Sequence, residues 1–278
     1  MERAVDVRLG RFEPTLEALR ERPLPAWDRR RHFSAEPERT RAYIFVLDTV
    51  NFCFWGARGG YWRLAEGLRD AFNSDSRLWE PAVLEALTPA QLRVHVGDLA
   101  LLTERAAALR ELGALARDQG SFDGLVQPTA AGQARFLAAS LASFRDVARY
   151  RELEVPFLKR AQITAADLHG AGVARFPDLD SLTCFADYKL PQALRHLGAI
   201  EYSDRLARRV DDWRELEPGE PAEVEIRSAT VVAVERLRSA LAESGRELRS
   251  FEVDWMLWDL ALGLYPVRPH HRVRTVFY

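Results

Sequence analysis

Lysine is nearly missing from this chain: of 39 basic residues only Lys159 and Lys189 are lysines. The two basic side chains are not interchangeable, so a compact ammonium kept at just two places invites a chemical reason. Cysteine is equally scarce. Cys53 and Cys184 each lie in an apolar run, and no C-x-x-C pair exists. That excludes a zinc site built on thiolates and argues against a disulfide scaffold. No apolar run approaches about 18 residues, so nothing reads as a membrane span. The first twenty residues carry scattered charges without an apolar centre, unlike a signal peptide. Glycine-rich phosphate loops and the G-x-S-x-G elbow are absent. The six histidines show no H-E-x-x-H or similar ligand spacing. These absences set the expectation of a cytoplasmic protein that uses neither metal nor cofactor.

What is present is ordinary for a globular chain: 278 residues, 47% apolar and 29% charged, enough to bury a substantial core. A formal charge of −2 argues against broad nucleic-acid binding, which neutralises many phosphates at once. A small anionic ligand needs only one or two local cations, and stays open.

Along the chain the signals are mainly helical. Residues 1–40 are Arg/Pro-rich and read as an irregular lead-in packing on the core, with one short helix near residues 13–20. Residues 41–55, RAYIFVLDTVNFCFW, are almost continuously apolar, and periodicity leaves helix and strand both open. Helices are expected over 61–72, 97–118, 129–149, 187–197, 223–244 and 251–263. Thr88 with Pro89 and Ser203 mark further helix starts. Residues 156–172 read as a helix followed by a second short one capped by Thr164. The fold class is therefore mainly α, with residues 41–278 as a single helical domain.

Chemistry is suggested by polar residues set among apolar and aromatic ones. Asp48 and Asn51 interrupt the run at 41–55. Asp254 begins the pattern DWMLW, and Asp187 follows Phe185 and Ala186. An ionised carboxylate in such surroundings costs several kcal/mol (of order) unless paired or hydrogen-bonded. Burial also raises its pKa toward values useful in acid–base work. Alternatively, each caps a helix or bridges to an arginine. Phe52, Phe54, Trp55, Tyr188 and Trp258 could sandwich a flat heterocycle, or simply pack the core. FADYKLPQAL, residues 185–194, gathers Asp187, Tyr188, Lys189 and Gln192 at the start of one helix.

LDTVNFCFW, PFLKRAQI, FADYKLPQAL with LGAIEYS, EIRSAT, VDWMLWDLA and HHRVRTVFY together resemble the signature segments of the queuosine salvage protein family. They run in the family's order from about residue 40 to the end. The resemblance implies a helical fold similar to helix-hairpin-helix DNA glycosylases. It also implies hydrolysis of the N-glycosidic bond of queuosine 5′-monophosphate, releasing queuine for tRNA modification. The partner is then this small nucleotide, with no stable nucleic-acid partner, no membrane and no cofactor. Asp187 is the expected stabiliser of positive charge at the anomeric carbon, with Lys159 as a cation near the ribose or phosphate. Lys189, Gln192 and Tyr202 are its expected companions. Asp48, Asn51 and Asp254 are candidates for the guanine-like edge, the secondary amine or the diol. Phe52, Trp55, Tyr188 and Trp258 would line or stack on the base, and His32 would close over the site. Two competing readings are a glycosylase acting inside a polynucleotide and a non-catalytic deazaguanine-binding protein.

Overall fold

The apolar run that periodicity leaves undecided is helix over most of its length in the computed structural model of the chain, which describes residues 4–56, 59–74 and 76–278. Among these residues the chain forms β1 (Val7–Leu9), α1 (Glu13–Arg20), α2 (Pro37–Thr49), α3 (Gly60–Asn73), α4 (Pro81–Glu85) and α5 (Pro89–Val96). Then come α6 (Leu102–Asp118), α7 (Ala130–Ser140), β2 (Val147–Tyr150), β3 (Leu153–Pro156), α8 (Lys159–Gly170) and α9 (Lys189–His196). The last elements are β4 (Ile200–Tyr202), α10 (Asp204–Asp211), β5 (Glu215–Leu216), α11 (Pro221–Glu243), α12 (Ser250–Gly263) and β6 (Arg272–Val273). The protein is mainly helical. No helix among the described residues is long and apolar enough to cross a membrane.

These elements divide into two compact units. The first is built from residues 1–25, 147–159 and 180–274. Its long helix α11 packs against α1, α9, α12 and β1. Strand β1 pairs antiparallel with β4, Val7 opposite Tyr202, and β2 with β3 forms a hairpin. Strands β5 and β6 pair in parallel. Buried Glu225 of α11 fastens the N-terminal strand, accepting the N–H groups of Val5, Asp6 and Val7 and the hydroxyl of Tyr150.

The second unit comprises residues 26–146, 160–179 and 275–278. Helix α2 is buried on every side from Ala42 to Thr49, as expected of a helix apolar all round. Proline stands only in its first turn, where the missing N–H costs nothing. It packs against α3 and α6. Gly67 lets α3 close on the end of α5, since a Cβ there would stand 2.3 Å from the His95 carbonyl oxygen.

Several expectations are corrected. Residues 129–149 are not one helix: α7 ends at Ser140, and from Val147 the backbone pairs with β3 instead. The hairpin supplies partners that the local helical pattern does not reveal. Residues 156–172 hold a single helix, α8, and Thr164 does not cap a second one. Its hydroxyl donates to the Arg160 carbonyl at 3.0 Å from within α8, a bond that mid-helix threonines commonly make. By contrast, Thr88 forms the capping box with Gln91 and Ser203 caps α10, as their spacing predicts.

Candidate functional site

In the first unit the segment FADYKLPQAL is where polar groups converge. Asp187 lies just ahead of α9, and its Oδ1 accepts the N–H groups of Lys189 (2.7 Å) and Leu190 (3.1 Å). These are orphan donors of the helix start, and the N-terminal end of a helix favours an anion. Because both bonds go to Oδ1, Oδ2 remains the oxygen available to an incoming atom. Gly198, at φ +81°, ends the helix in a left-handed conformation that a side chain would strain.

Asp187 is half-buried, and burial raises its carboxyl above the ordinary 3.8. Lys159 is the strongest opposing influence, ahead of the two helix N–H groups and the Lys189 ammonium. Lys159 itself is only 5% exposed. Asp254 of α12 receives the Phe185 N–H on Oδ2 at 2.6 Å, so it holds the backbone two residues before Asp187. Burial first, and the nearby charge of Asp187 second, push the Asp254 carboxyl well above its usual range. Burial thus raises both acids, and at Asp187 Lys159 and the helix N–H groups oppose that rise.

The other residues expected in this unit fall around that pair or have partners of their own. Lys189 Nζ donates to Gln192 Oε1 at 3.1 Å, and Gln192 Nε2 donates to the Arg268 carbonyl at 2.7 Å. Burial lowers the Lys189 ammonium. The Tyr188 ring stacks on His270, centroids 4.5 Å apart. Trp258, half-buried, follows Asp254 by one turn on α12. Tyr202 lies in β4 beneath the Arg195 guanidinium, 4.6 Å from its centroid, and Arg195 grips Asp211 with two bonds. His270, pushed down to about 4 by burial, and His271, pushed down to about 3, are neutral bases at physiological pH. Sequence reasoning passed over both; the doubled histidine in the polar-aromatic tail was the available signal.

The second unit carries His32, Asp48, Asn51, Phe52 and Trp55. His32 sits in an aromatic cage: it stacks on Trp27 at 4.1 Å and meets Tyr43, Tyr61 and Trp62. Its Nδ1 is 3.0 Å from the Asp28 carbonyl and its Nε2 2.8 Å from the Tyr61 hydroxyl. A carbonyl can only accept, so Nδ1 carries the proton and Nε2 accepts from the phenol. Burial lowers the His32 pKa, keeping it neutral. Asp48, fully buried in α2, and Asp167 of α8 both act on the phenols of Tyr43 and Tyr61, adding to the rise that burial causes. Asp167 was not anticipated; it stands in a helical stretch whose pattern looks purely structural.

Phe52 lies among cations. Its ring is fully buried, with the guanidinium carbons of Arg105 and Arg160 at 4.3 and 4.9 Å from its centroid. Asn51 is buried beside it, and Trp55 is half-buried.

The queuosine salvage protein family model matches residues 31–278. This chain belongs to that family. Relatives named queuosine 5′-phosphate N-glycosylase/hydrolase include one from Sphaerobacter thermophilus, 42% identical over 94% of this chain and 88% of that protein. One from Dictyostelium discoideum is 37% identical over 87% of this chain and 79% of its own length. A Mus musculus relative is 31% identical, covering 87% and 82%. The family match also spans FADYKLPQAL, EIRSAT and VDWMLWDLA, the segments that furnish Asp187, Arg227 and Asp254.

Proposed function

We infer that this chain hydrolyses the N-glycosidic bond of queuosine 5′-monophosphate and releases queuine. The observation that carries this reading is a carboxylate, Asp187, fixed through one oxygen at a helix start beside a buried lysine, in a chain 42% identical to a relative named for that reaction. Water oxygen bonds to the anomeric carbon as the carbon–nitrogen bond breaks. The bonding pair leaves with the base, which takes up a proton, and the sugar is released as ribose 5-phosphate. Positive charge that develops on the sugar is stabilised by the Asp187 carboxylate, whose open oxygen also orients the water. A 7-deaza base has carbon at the position where purines are usually protonated, so its other heteroatoms must be stabilised as it departs.

In this reading Lys159 holds the ribose or phosphate, assisted by Lys189, Gln192 and Tyr202. Phe52, Tyr188, Trp55 and Trp258 line the base, with Asp254, Asp48 and Asn51 reading its edge or its amine-bearing arm. His32 closes over the ligand through its aromatic cage. The helical architecture is read as similar to helix-hairpin-helix DNA glycosylases. Residues 41–278 form the catalytic part, with residues 1–40 as its lead-in, and the protein acts in the cytoplasm on a small nucleotide.

The test is to incubate the protein with queuosine 5′-monophosphate, queuosine and queuosine-containing tRNA, then chromatograph for queuine. Release from the monophosphate is expected. Release from intact tRNA alone would instead support a glycosylase that flips its base from a polynucleotide. Asp187→Asn should lower turnover by a thousandfold or more, on the order of 4 kcal/mol of transition-state stabilisation. Ligand affinity should stay within about tenfold. Binding without any base release by the wild-type chain would sink the hydrolase reading.

A further inference from the structure

EIRSAT is a signature segment with no part in the chemistry so far. Its arginine, Arg227, is buried in α11 with its side chain 2% exposed. Burying a guanidinium is costly unless its hydrogen bonds and charge are met. Here the Nε–H donates to the carbonyl of Ala186 at 3.0 Å, the residue before Asp187. The guanidinium carbon lies 3.9 Å from the centroid of the Phe157 ring, two residues before Lys159. One turn earlier on the same helix, Glu223 supplies the counter-charge at 3.4 Å, and its other oxygen accepts the Gly219 N–H. Phe157, Ala186 and Val224 close an apolar cluster around these contacts.

We propose that Arg227 is the positioning residue that sets Asp187 and Lys159 in their mutual geometry. This rests on the reading of those two residues given above. A planar guanidinium can hold a carbonyl at its edge and an aromatic ring against its face at once; an ammonium cannot. Between Phe157 and Lys159, Leu158 adopts φ +48°, a left-handed conformation unusual for leucine. Such a conformation persists only where its surroundings over-determine it. Phe157, pinned beneath Arg227, is the restraint on its N-terminal side, and the Lys159 side chain departs from the next residue. Its action runs through the backbone at 186 and the ring at 157.

The experiment compares Arg227→Met and Arg227→Lys for kcat, KM and melting temperature on queuosine 5′-monophosphate. Arg227→Met should lower kcat by about a hundredfold with KM within about threefold, since small misplacements of reacting groups carry losses of that size. Arg227→Lys should recover the melting temperature, because it restores charge beside Glu223, but not kcat. Recovery of both by lysine would reduce Arg227 to a structural counter-ion and overturn the proposal. In an Asp187→Asn background, Arg227→Met should cost little further, because the two act as one unit; fully additive losses would overturn it. Should Arg227→Met fail to fold, Phe157→Leu gives the same reading: kcat falls with KM held, and an unchanged kcat rejects the idea. If Asp187→Asn keeps full turnover, the site reading fails and takes this inference with it. If Asp187→Asn is inactive and Arg227→Met is not, only the role of Arg227 falls.

Discussion

Asp187 and Asp48 are both aspartates at the end of a helix, one in each unit, and they occupy opposite ends. Asp187 stands before the first turn of α9, where N–H groups point at it. Asp48 stands in the last turn of α2, where carbonyl oxygens accumulate. The N-terminal end of a helix favours negative charge and the C-terminal end disfavours it. The second unit answers with two buried guanidiniums. Arg105 donates to the carbonyls of Val50, Phe52, Cys53 and Ala100. Arg160 donates to those of Asp48, Thr49 and Ser143. The first unit uses arginine in the same manner: Arg246 donates to the carbonyls of Leu19, Arg20 and Arg22, and Arg227 holds the carbonyl at 186. Buried arginine thus shapes the backbone in both units, whereas the carboxylate with an open oxygen sits where the helix start supports its charge.

The largest effect that would sharpen this contrast is on stability. Arg105→Met strips donors from four carbonyls in the buried interior and should cost about 3 kcal/mol or more, read from urea unfolding. Arg227→Met, by contrast, is expected to show its main effect in turnover. An Arg105 variant within about 1 kcal/mol of wild type would break the comparison, because the carbonyls would then not depend on the guanidinium.

A smaller effect concerns pH. Asp254 has its carboxyl raised well above 3.8 by burial and by Asp187. The folded chain therefore keeps this proton at pH values where the unfolded chain has lost it. Stability from that proton is present at acid pH and is lost as pH rises through the folded value. An asparagine at this position accepts the Phe185 N–H without titrating. Wild type should consequently lose stability relative to Asp254→Asn as pH rises above 3.8, measured by thermal melts across pH. A difference that stays flat with pH would mean that the acid is matched in folded and unfolded chains.

The smallest expected effect lies at the N-terminus of α5, far along the chain from any candidate site residue. Thr88→Ala removes one half of the capping box and should cost about 1 kcal/mol, with kcat unchanged. Denaturant unfolding with a parallel assay would read both. A loss of turnover there would show that stability in the second unit and chemistry are not separable as drawn.

How legible all this was depends on range. Helix starts at Thr88 and Ser203 were readable because a cap involves residues three apart. Helices α1, α3, α11 and α12 followed from periodicity to within two residues at each end. The run at 41–55 was not decidable, because a segment buried on all sides shows neither helical nor strand period. The end of α7 was misplaced because β2 exists only through its partner β3. Of the site, Asp187 with its helix N–H groups was readable, since the bonds span two and three residues. Its neighbours Asp254 and Arg227 were visible as odd residues in odd places, but not as partners.

The sequence by itself determined a mainly helical chain, its family membership, and a short list of polar residues in apolar surroundings. Those depend on local pattern and on segments that can be compared one by one. Only the tertiary structure decided what surrounds each of those residues. It buried Phe52 near two guanidiniums, gave Asp254 to the Phe185 N–H, and set Arg227 against Ala186 and Phe157. Burial and electrostatic partners arise from residues about 30 to 110 positions apart, and no local pattern encodes that pairing.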